Sequence, residues 1–154
     1  MYEKILVPLD GSKVGETALP YVEDLVSKLS PDAKVEVTLL RVIPPITQKN
    51  VGGETSAVIP DLGKVMEERK DSAMDYLNKT GESLRSKGVA VTSRVEVGNP
   101  PEGIVKVAEE IDVNFIAMST HGRSGLSRWA FGSVTDRVLR MEGRIPIIMV
   151  KAPK

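Results

Sequence analysis

The sequence predicts an α/β domain built on a single open, five-stranded parallel sheet with helices on both faces. Segments typical of strands alternate along the 154-residue chain with segments whose apolar residues have helical spacing. The first strand segment, residues 5–9, is apolar without interruption, as expected for a strand covered on both faces. No internal repeat and no change of composition divides the chain, so we expect one domain over residues 1–154.

The first strand and the first helix are delimited by prolines and by a short polar turn. The strand should end at Pro8, because proline cannot donate a hydrogen bond to a sheet. Ser12 is a candidate N-cap for the following helix. Pro20 lies within that helical pattern, so we expect the helix to be bent or loosened near Glu16.

A second strand and a long helix follow, separated by a long loop. The strand spans residues 35–43 and is stopped by two prolines. Residues 46–60 show no period and predict a loop of a length that is usually functional or mobile. Asp61 is then expected to cap one long helix that ends at Gly88.

Apolar residues alternate with other residues over residues 89–97, which predicts a third strand with one face more exposed to solvent, as is typical of a sheet edge. Asn99 is a candidate cap for the third helix, whose first residues, Pro100 and Pro101, are tolerated in a first helical turn. The apolar run of residues 113–118 predicts the fourth strand.

The last helix should begin at Ser133 and end near Gly143. Its expected inward residues are Val134, Val138 and Leu139. Residues 145–150 form an apolar run that predicts the fifth strand.

Composition excludes several functional classes. Lys plus Arg equals Asp plus Glu at 21 each, so no net charge favours nucleic acid, and we expect no nucleic-acid partner. The chain has no cysteine, which excludes disulfides, thiol catalysis and cysteine-based metal sites. The apolar run near the amino end is too short for a signal peptide or a membrane span, so a cytoplasmic protein without membrane association is expected.

Two segments are candidates for a ligand site, residues 8–12 and residues 119–133, which follow the first and fourth strands. In open parallel sheets, ligands bind beyond the carboxyl ends of the strands. The second segment contains glycines and leads directly into a helix. Glycine allows close approach of backbone N–H groups, and the first N–H groups of a helix carry partial positive charge. This segment therefore predicts an anion site.

The spacing within the second segment is specific. Two residues separate Ser119 from Gly122, nine separate Gly122 from Gly132, and Ser133 follows directly. The chain here resembles the universal stress protein family, whose ATP-binding members carry Gly-x2-Gly-x9-Gly-(Ser/Thr) after the fourth strand. Ser119 replaces the first glycine of that motif. The similarity spans nearly the whole chain and implies a Rossmann-like sheet of order 3-2-1-4-5, with strands 1 and 4 as neighbours.

The resemblance implies an ATP site and a role for each of its residues. Asp10 would bind ribose hydroxyls, Pro8 would shape the pocket near the base, and Val42 would lie beside adenine, mostly through backbone groups. The resemblance assigns the phosphate side of the site to the central loop and the helix that follows it: Ser119, Gly122, Gly132, Ser133, Val134 and Thr135. A magnesium or manganese ion would be carried by the phosphates. The family also commonly forms homodimers by pairing the last strands.

The residues alone leave other interpretations open. Asp10 could instead cap the first helix, Val42 could be an ordinary core valine, and Thr135 could cap the last helix rather than contact phosphate. His121 is the only histidine, so a metal site or a catalytic triad built on it is not expected.

Three functions follow as hypotheses. The first is an ATP-binding universal stress protein that acts as a regulatory nucleotide-binding module in a stress response. The second is a slow ATPase or adenylyl-transfer enzyme that uses the same pocket, which rests on analogy of fold. The third is a dimeric interaction module without nucleotide, with Ser119 marking a weakened site. The sequence has neither a Gly-x4-Gly-Lys-(Ser/Thr) loop nor a Gly-x-Gly-x2-Gly fingerprint.

Overall fold

The computed structural model describes residues 2–46, 61–120, 132–141 and 143–152. These residues contain a five-stranded, all-parallel sheet of order β3-β2-β1-β4-β5. Both the predicted sheet and its order are confirmed. The strands are β1 (Tyr2–Pro8), β2 (Lys34–Ile43), β3 (Ala90–Val97), β4 (Phe115–Thr120) and β5 (Ile147–Lys151).

Helices cover both faces of the sheet. They are α1 (Ala18–Lys28), α2 (Leu62–Thr80), α3 (Glu82–Ser86), α4 (Pro100–Glu110) and α5 (Ser133–Arg140). Within the described ranges, no helix is both long enough and apolar enough to cross a membrane.

The sheet separates two hydrophobic cores, and successive residues of β1 enter opposite ones. Ile5 and Val7 join a core with α1, α2 and α3, whereas Leu6 joins a core with α4 and α5. Each of these three side chains is at most 1% exposed. This double burial explains why the strand is apolar at every position, since strand side chains alternate between faces.

The first helix begins later than its sequence pattern predicts. A short 3-10 helix, Gly15–Thr17, precedes α1, so the prediction that Ser12 is the N-cap is wrong. Pro20 explains the delay, because it cannot donate to the carbonyl of Glu16 and therefore fits only within the first turn of an α-helix. The predicted disturbance of the helical pattern near Glu16 is present, but it takes the form of a 3-10 helix before α1 and not of a bent or loosened α-helix. Ser12 instead stabilises the preceding turn, where its Oγ accepts a hydrogen bond from the N–H of Gly15 at 3.0 Å.

The second predicted helix is two helices. Asp61 caps α2 as predicted, since its Oδ1 accepts from the Lys64 N–H at 3.0 Å. The helix is interrupted at Gly81 instead of continuing to Gly88. Gly81 lies so close to the sheet that an added Cβ would come within 3.1 Å of the side chains of Leu39 and Val91.

The remaining helices and the sheet edges mostly follow prediction. β3 is an edge strand, and α4 begins with two prolines, although Asn99 at its N-cap position makes no side-chain capping bond. In α5 the prediction that Leu139 faces inward is wrong, because its side chain is 39% exposed. Thr135 and Val138 supply the buried positions of this helix instead. Thr135 and Val138 are three residues apart and lie on one face, and Leu139 lies at the border of that face, where its side chain stays exposed.

Candidate functional site

A cavity of about 220 Å³ lies at the carboxyl ends of β1, β2 and β4, between α4 and the start of α5. The order of the sheet explains its position, because the winding direction reverses between β1 and β4. The lining comprises Pro8, Leu9, Asp10, Val14, Gly15, Leu40, Val42, Pro100, Ile104, Met118, Ser119, Gly132, Ser133, Val134 and Thr135. Every site residue named from the sequence is among them except Gly122, which lies outside the described residues together with the rest of residues 121–131.

One half of the cavity is an apolar slot. Val42, at the end of β2, faces Ile104 and Pro100 of α4 across it. The helix approaches the strand closely because residue 103 is glycine: an added Cβ would lie 2.9 Å from Cγ1 of Val42. Sequence reasoning placed Val42 here but missed the α4 residues. Their apolar spacing was visible, but that spacing is the same for a residue that lines a cavity and for one that fills a core.

The other half of the cavity is the start of α5. Gly132 occupies the N-cap position, and no side chain from the described part of the chain caps the helix. The first backbone N–H groups of an α-helix have no intrahelical partner and carry partial positive charge. The exposed Ser133 adds a hydroxyl at the same place. This end of the cavity is therefore chemically suited to an anion.

The Thr135 hydroxyl is directed to β4 rather than to solvent. Its Oγ1 donates to the carbonyl of Ser119 at 3.4 Å, and the residue is 4% exposed. Thr135 thus lines the cavity while its hydroxyl links α5 to β4 by a hydrogen bond. The alternative that Thr135 caps α5 is not what the structure shows, since its contact is with β4.

Ser119 joins the end of β4 to the start of α1. Its Oγ donates to the carbonyl of Gly15 at 2.8 Å and accepts from the N–H of Ala18 at 2.9 Å. These two backbone groups flank the junction between the 3-10 helix and α1. A glycine at residue 119 could make neither bond. The serine that departs from the motif therefore has a structural function of its own.

Asp10 is held in a tight turn after β1. Its Oδ1 accepts hydrogen bonds from the Ser12 N–H at 2.8 Å and from Ser12 Oγ at 2.6 Å. Glycine is needed at residue 15, because an added Cβ would come within 2.6 Å of that Oδ1. Both hydrogen bonds from Ser12 therefore go to the same oxygen, Oδ1. Asp10 thus stabilises the turn through Oδ1.

The charge on Asp10 is stabilised by its surroundings. Burial alone would raise the pKa of its carboxyl group, but the two hydrogen bonds from Ser12, a hydrogen bond from its own backbone N–H and the nearby positive charge of Arg41 outweigh burial. The pKa is therefore below its ordinary value of 3.8, and Asp10 is ionised at neutral pH.

The described residues contain no group of three or more histidine or acidic side chains that could hold a metal ion. His121 and residues 47–60 of the predicted long loop lie outside the described residues.

Comparison with known proteins identifies relatives over the full length of the chain. A model of the universal stress protein family matches residues 1–151. The universal stress protein MJ0577 of Methanocaldococcus jannaschii is 31% identical over 160 aligned residues, which cover 98% of this chain and 96% of the relative. A solved structure of MJ0577 matches with a TM-score of 0.76 at 30% identity, covering 99% of this chain and 98% of that one.

Two more distant solved structures share the fold. A universal stress protein family protein from Arabidopsis thaliana with AMP bound has a TM-score of 0.64 at 17% identity and covers 98% of this chain and 92% of its own. A universal stress protein in complex with cAMP has a TM-score of 0.62 at 18% identity and covers 97% of each chain. At these identities, the likeness supports the fold alone.

Replacing Ser119 by alanine should destabilise the protein. Ser119→Ala leaves the Gly15 carbonyl and the Ala18 N–H without their partner, at a cost of about 1–3 kcal/mol in the free energy of unfolding. Urea denaturation followed by circular dichroism measures this loss. Ser86→Ala is the matched control, because its exposed hydroxyl bonds only within α3 and its removal should change stability by less than about 0.5 kcal/mol. Equal stabilities of the two variants would contradict the role assigned to Ser119.

Replacing Ser12 by alanine should raise the pKa of Asp10. Ser12→Ala removes the hydroxyl that donates to Oδ1, so the carboxylate loses stabilisation and its pKa moves up towards 3.8. Since the folded-state pKa is lowered, the associated stability is present above the unfolded-state pKa and is lost as the pH falls through the folded-state pKa. Carbon-detected NMR titration of the Asp10 carboxyl group measures its pKa in the wild-type protein and in the variant. An unchanged pKa would show that the Ser12 hydroxyl is not what stabilises this carboxylate.

Proposed function

The chain belongs to the universal stress protein family, and from this premise we propose that it binds an adenine nucleotide, preferentially ATP, as a regulatory module in a stress response. The observation that carries this proposal is the cavity that joins an apolar slot to the uncapped start of α5. A nucleotide has the same two parts, a flat apolar base and an anionic phosphate chain. Universal stress proteins of the same fold have been solved with AMP and with cAMP, both adenine nucleotides, and adenine is the base that we propose here.

The apolar slot is where the base would lie. Val42 on one side and Ile104 with Pro100 on the other form walls of aliphatic carbon, and Pro8 closes the slot towards β1. Adenine would bury its faces there and use backbone groups at the end of β2 for its ring nitrogens.

Asp10 would bind the ribose. Its Oδ1 is occupied by Ser12, so the ribose hydroxyls would donate to Oδ2. An ionised carboxylate makes hydrogen bonds roughly twice as strong as neutral acceptors do, and the lowered pKa keeps Asp10 in this form at neutral pH.

The phosphates would lie at the start of α5, against the N–H groups of Ser133, Val134 and Thr135 and the hydroxyl of Ser133. Asp10 contributes the one carboxylate among the described lining residues. A magnesium or manganese ion would therefore take most of its ligands from the phosphates and from water. Such an ion would neutralise phosphate charge, and the residues present are compatible with it in that role.

ATP should bind with a measurable heat that is lost when residue 132 carries a side chain. Gly132→Val places a branched side chain at the start of α5, where it would hinder the phosphates, and should weaken binding at least tenfold. Isothermal titration calorimetry with ATP and magnesium measures this effect, with AMP titrated in parallel. Gly143→Val is the matched control, because an added Cβ there meets nothing within 4 Å and the residue lies outside the cavity.

A second variant guards against misfolding. Ser133→Ala removes a single exposed hydroxyl and should weaken ATP binding severalfold while the unfolding curve stays unchanged. Absence of nucleotide, both after denaturation of the purified protein and in titration, would exclude the proposal and favour an interaction module without nucleotide.

We also propose that the protein is a homodimer joined through β5. This strand pairs with β4 on one side and is an edge of the sheet on the other. Its composition is apolar, and Met149 is 40% exposed. An apolar, unprotected edge strand favours pairing with a second chain, and an equivalent strand is the simplest partner.

Met149→Lys should convert the dimer to a monomer, because a charge on each paired strand would be buried or opposed by its equivalent. Light scattering coupled to size-exclusion chromatography measures the mass, which should fall from twice the chain mass to the mass of a single chain, 16.7 kDa. Val97→Lys is the matched control, since Val97 is 41% exposed on the opposite edge strand, β3, and should leave the mass unchanged. A wild-type monomer at micromolar concentration would contradict the proposal.

A further inference from the structure

A second cavity, of about 420 Å³, lies on the other face of the sheet from the apolar slot. Residues of β2 alternate between the faces, so Arg41 enters this cavity while its neighbour Val42 lines the slot. The cavity is bounded by the end of β2, the turn after β1 and one face of α2. It is therefore separate from the proposed nucleotide site. The two cavities are nevertheless close in the chain, because Asp10 lines the nucleotide cavity and the next residue, Gly11, lines this one.

The Tyr76 ring and the backbone at Gly11 together hold the Arg41 guanidinium in position. Its guanidinium lies over the ring of Tyr76, with 5.6 Å between the Arg41 Cζ and the ring centroid. Gly11 has a φ of +87°, and an added Cβ would come within 2.2 Å of Nη1 of Arg41, so the guanidinium occupies space that only glycine leaves. The Tyr76 hydroxyl in turn donates to Glu16 at 3.0 Å. Both the ring and the cation are thus fixed before any ligand arrives.

The face of α2 adds a second cation and a hydroxyl. Arg69, Ser72 and Tyr76 all line the cavity, and their spacing of three, four and seven residues places them on one side of the helix. Arg69 and Ser72 are exposed. Two guanidinium groups and a hydroxyl therefore border a single concave space.

The positive charge of this cavity is not neutralised within the described residues. There, no carboxylate forms an ion pair with Arg41 or Arg69, whereas Arg137 and Arg140 each pair with one carboxylate and Arg94 pairs with two. Asp10 is near enough for Arg41 to contribute to the lowering of its pKa, but Oδ1 of Asp10 is engaged by Ser12. A half-buried guanidinium that is positioned but not paired is suited to an anion from outside.

We propose that this cavity binds the phosphate group of a small phosphorylated molecule. The planar guanidinium of Arg41 can donate two parallel N–H groups to phosphate oxygens, while Arg69 and Ser72 supply further donors. Two cations match a dianion better than a carboxylate. The remaining wall, formed by Ala73 and Ile43 beside the Tyr76 ring, would contact the carbon skeleton of the ligand.

Titration of the intact, isotopically labelled protein with inorganic phosphate tests this proposal. Ionic strength is held constant with chloride, the pH is above the second pKa of phosphate, and two-dimensional NMR reports each residue separately. The backbone signals of Gly11 and Ser72 and the side-chain Nε signal of Arg41 should shift in a saturable way. Acetate, titrated under the same conditions, should bind at least about tenfold more weakly.

Three variants identify the donors. Arg41→Gln should weaken phosphate binding at this cavity about tenfold or more, and Arg69→Gln should weaken it severalfold. Arg85→Gln is the matched control, because Arg85 donates to the carbonyl of Asn78 and lies outside the cavity, so binding should be unchanged. If Arg41→Gln fails to fold, the exposed Arg69 still provides the test.

Several results would overturn the proposal. They are the absence of saturable shifts at Gly11 and Ser72, acetate binding as tight as phosphate binding, or equal phosphate affinity in Arg69→Gln and Arg85→Gln. Phosphate shifts confined to Ser133 and Val134 would also overturn it, while leaving the proposed nucleotide site intact. Each cavity has its own reporter signals, so failure of one site is distinguishable from failure of the other.

Discussion

The burial of β1 on both of its faces is the constraint on which the architecture depends. A strand with apolar side chains at every position is stable only when each face is covered, and α1 and α2 cover one while α4 and α5 cover the other. In the sheet, β2 and β3 lie on one side of β1, and β4 and β5 lie on the other side. The chain must therefore reverse its winding beside β1, and the reversal leaves a crevice there that none of the described helices fills.

The contents of the crevice follow from its position. Each parallel strand presents its carboxyl end and the following turn to the same edge of the sheet, so Asp10, Val42 and Ser119 lie close together although they are far apart in the chain. Gly15 and Gly103 permit close approach of backbone to side chains on two sides of this space. The geometry is thus imposed by the sheet and refined by glycines.

Much of this arrangement was predictable from the sequence, for physical reasons that also explain the errors. Uninterrupted apolar runs and prolines identified the strands, and the motif spacing identified the start of α5, since these signals are local. The late start of α1, the break at Gly81 and the outward position of Leu139 depend on contacts with the sheet, which spacing alone does not contain. Likewise, Ile104 and Pro100 could not be separated from core residues, and the absence of an ion pair at Arg41 among the described residues could be recognised only once its neighbours were known.

The hydroxyl of Ser119 has a consequence for the order in which the protein folds. It completes the hydrogen bonding at the junction of the 3-10 helix and α1, and it comes from a residue 101 positions away from Ala18. Closing so long a loop costs entropy and occurs only when β4 docks beside β1. We therefore expect the first turn of α1, although local in sequence, to be completed late in folding, with the Ala18 amide protected from hydrogen exchange only when the central strands are assembled.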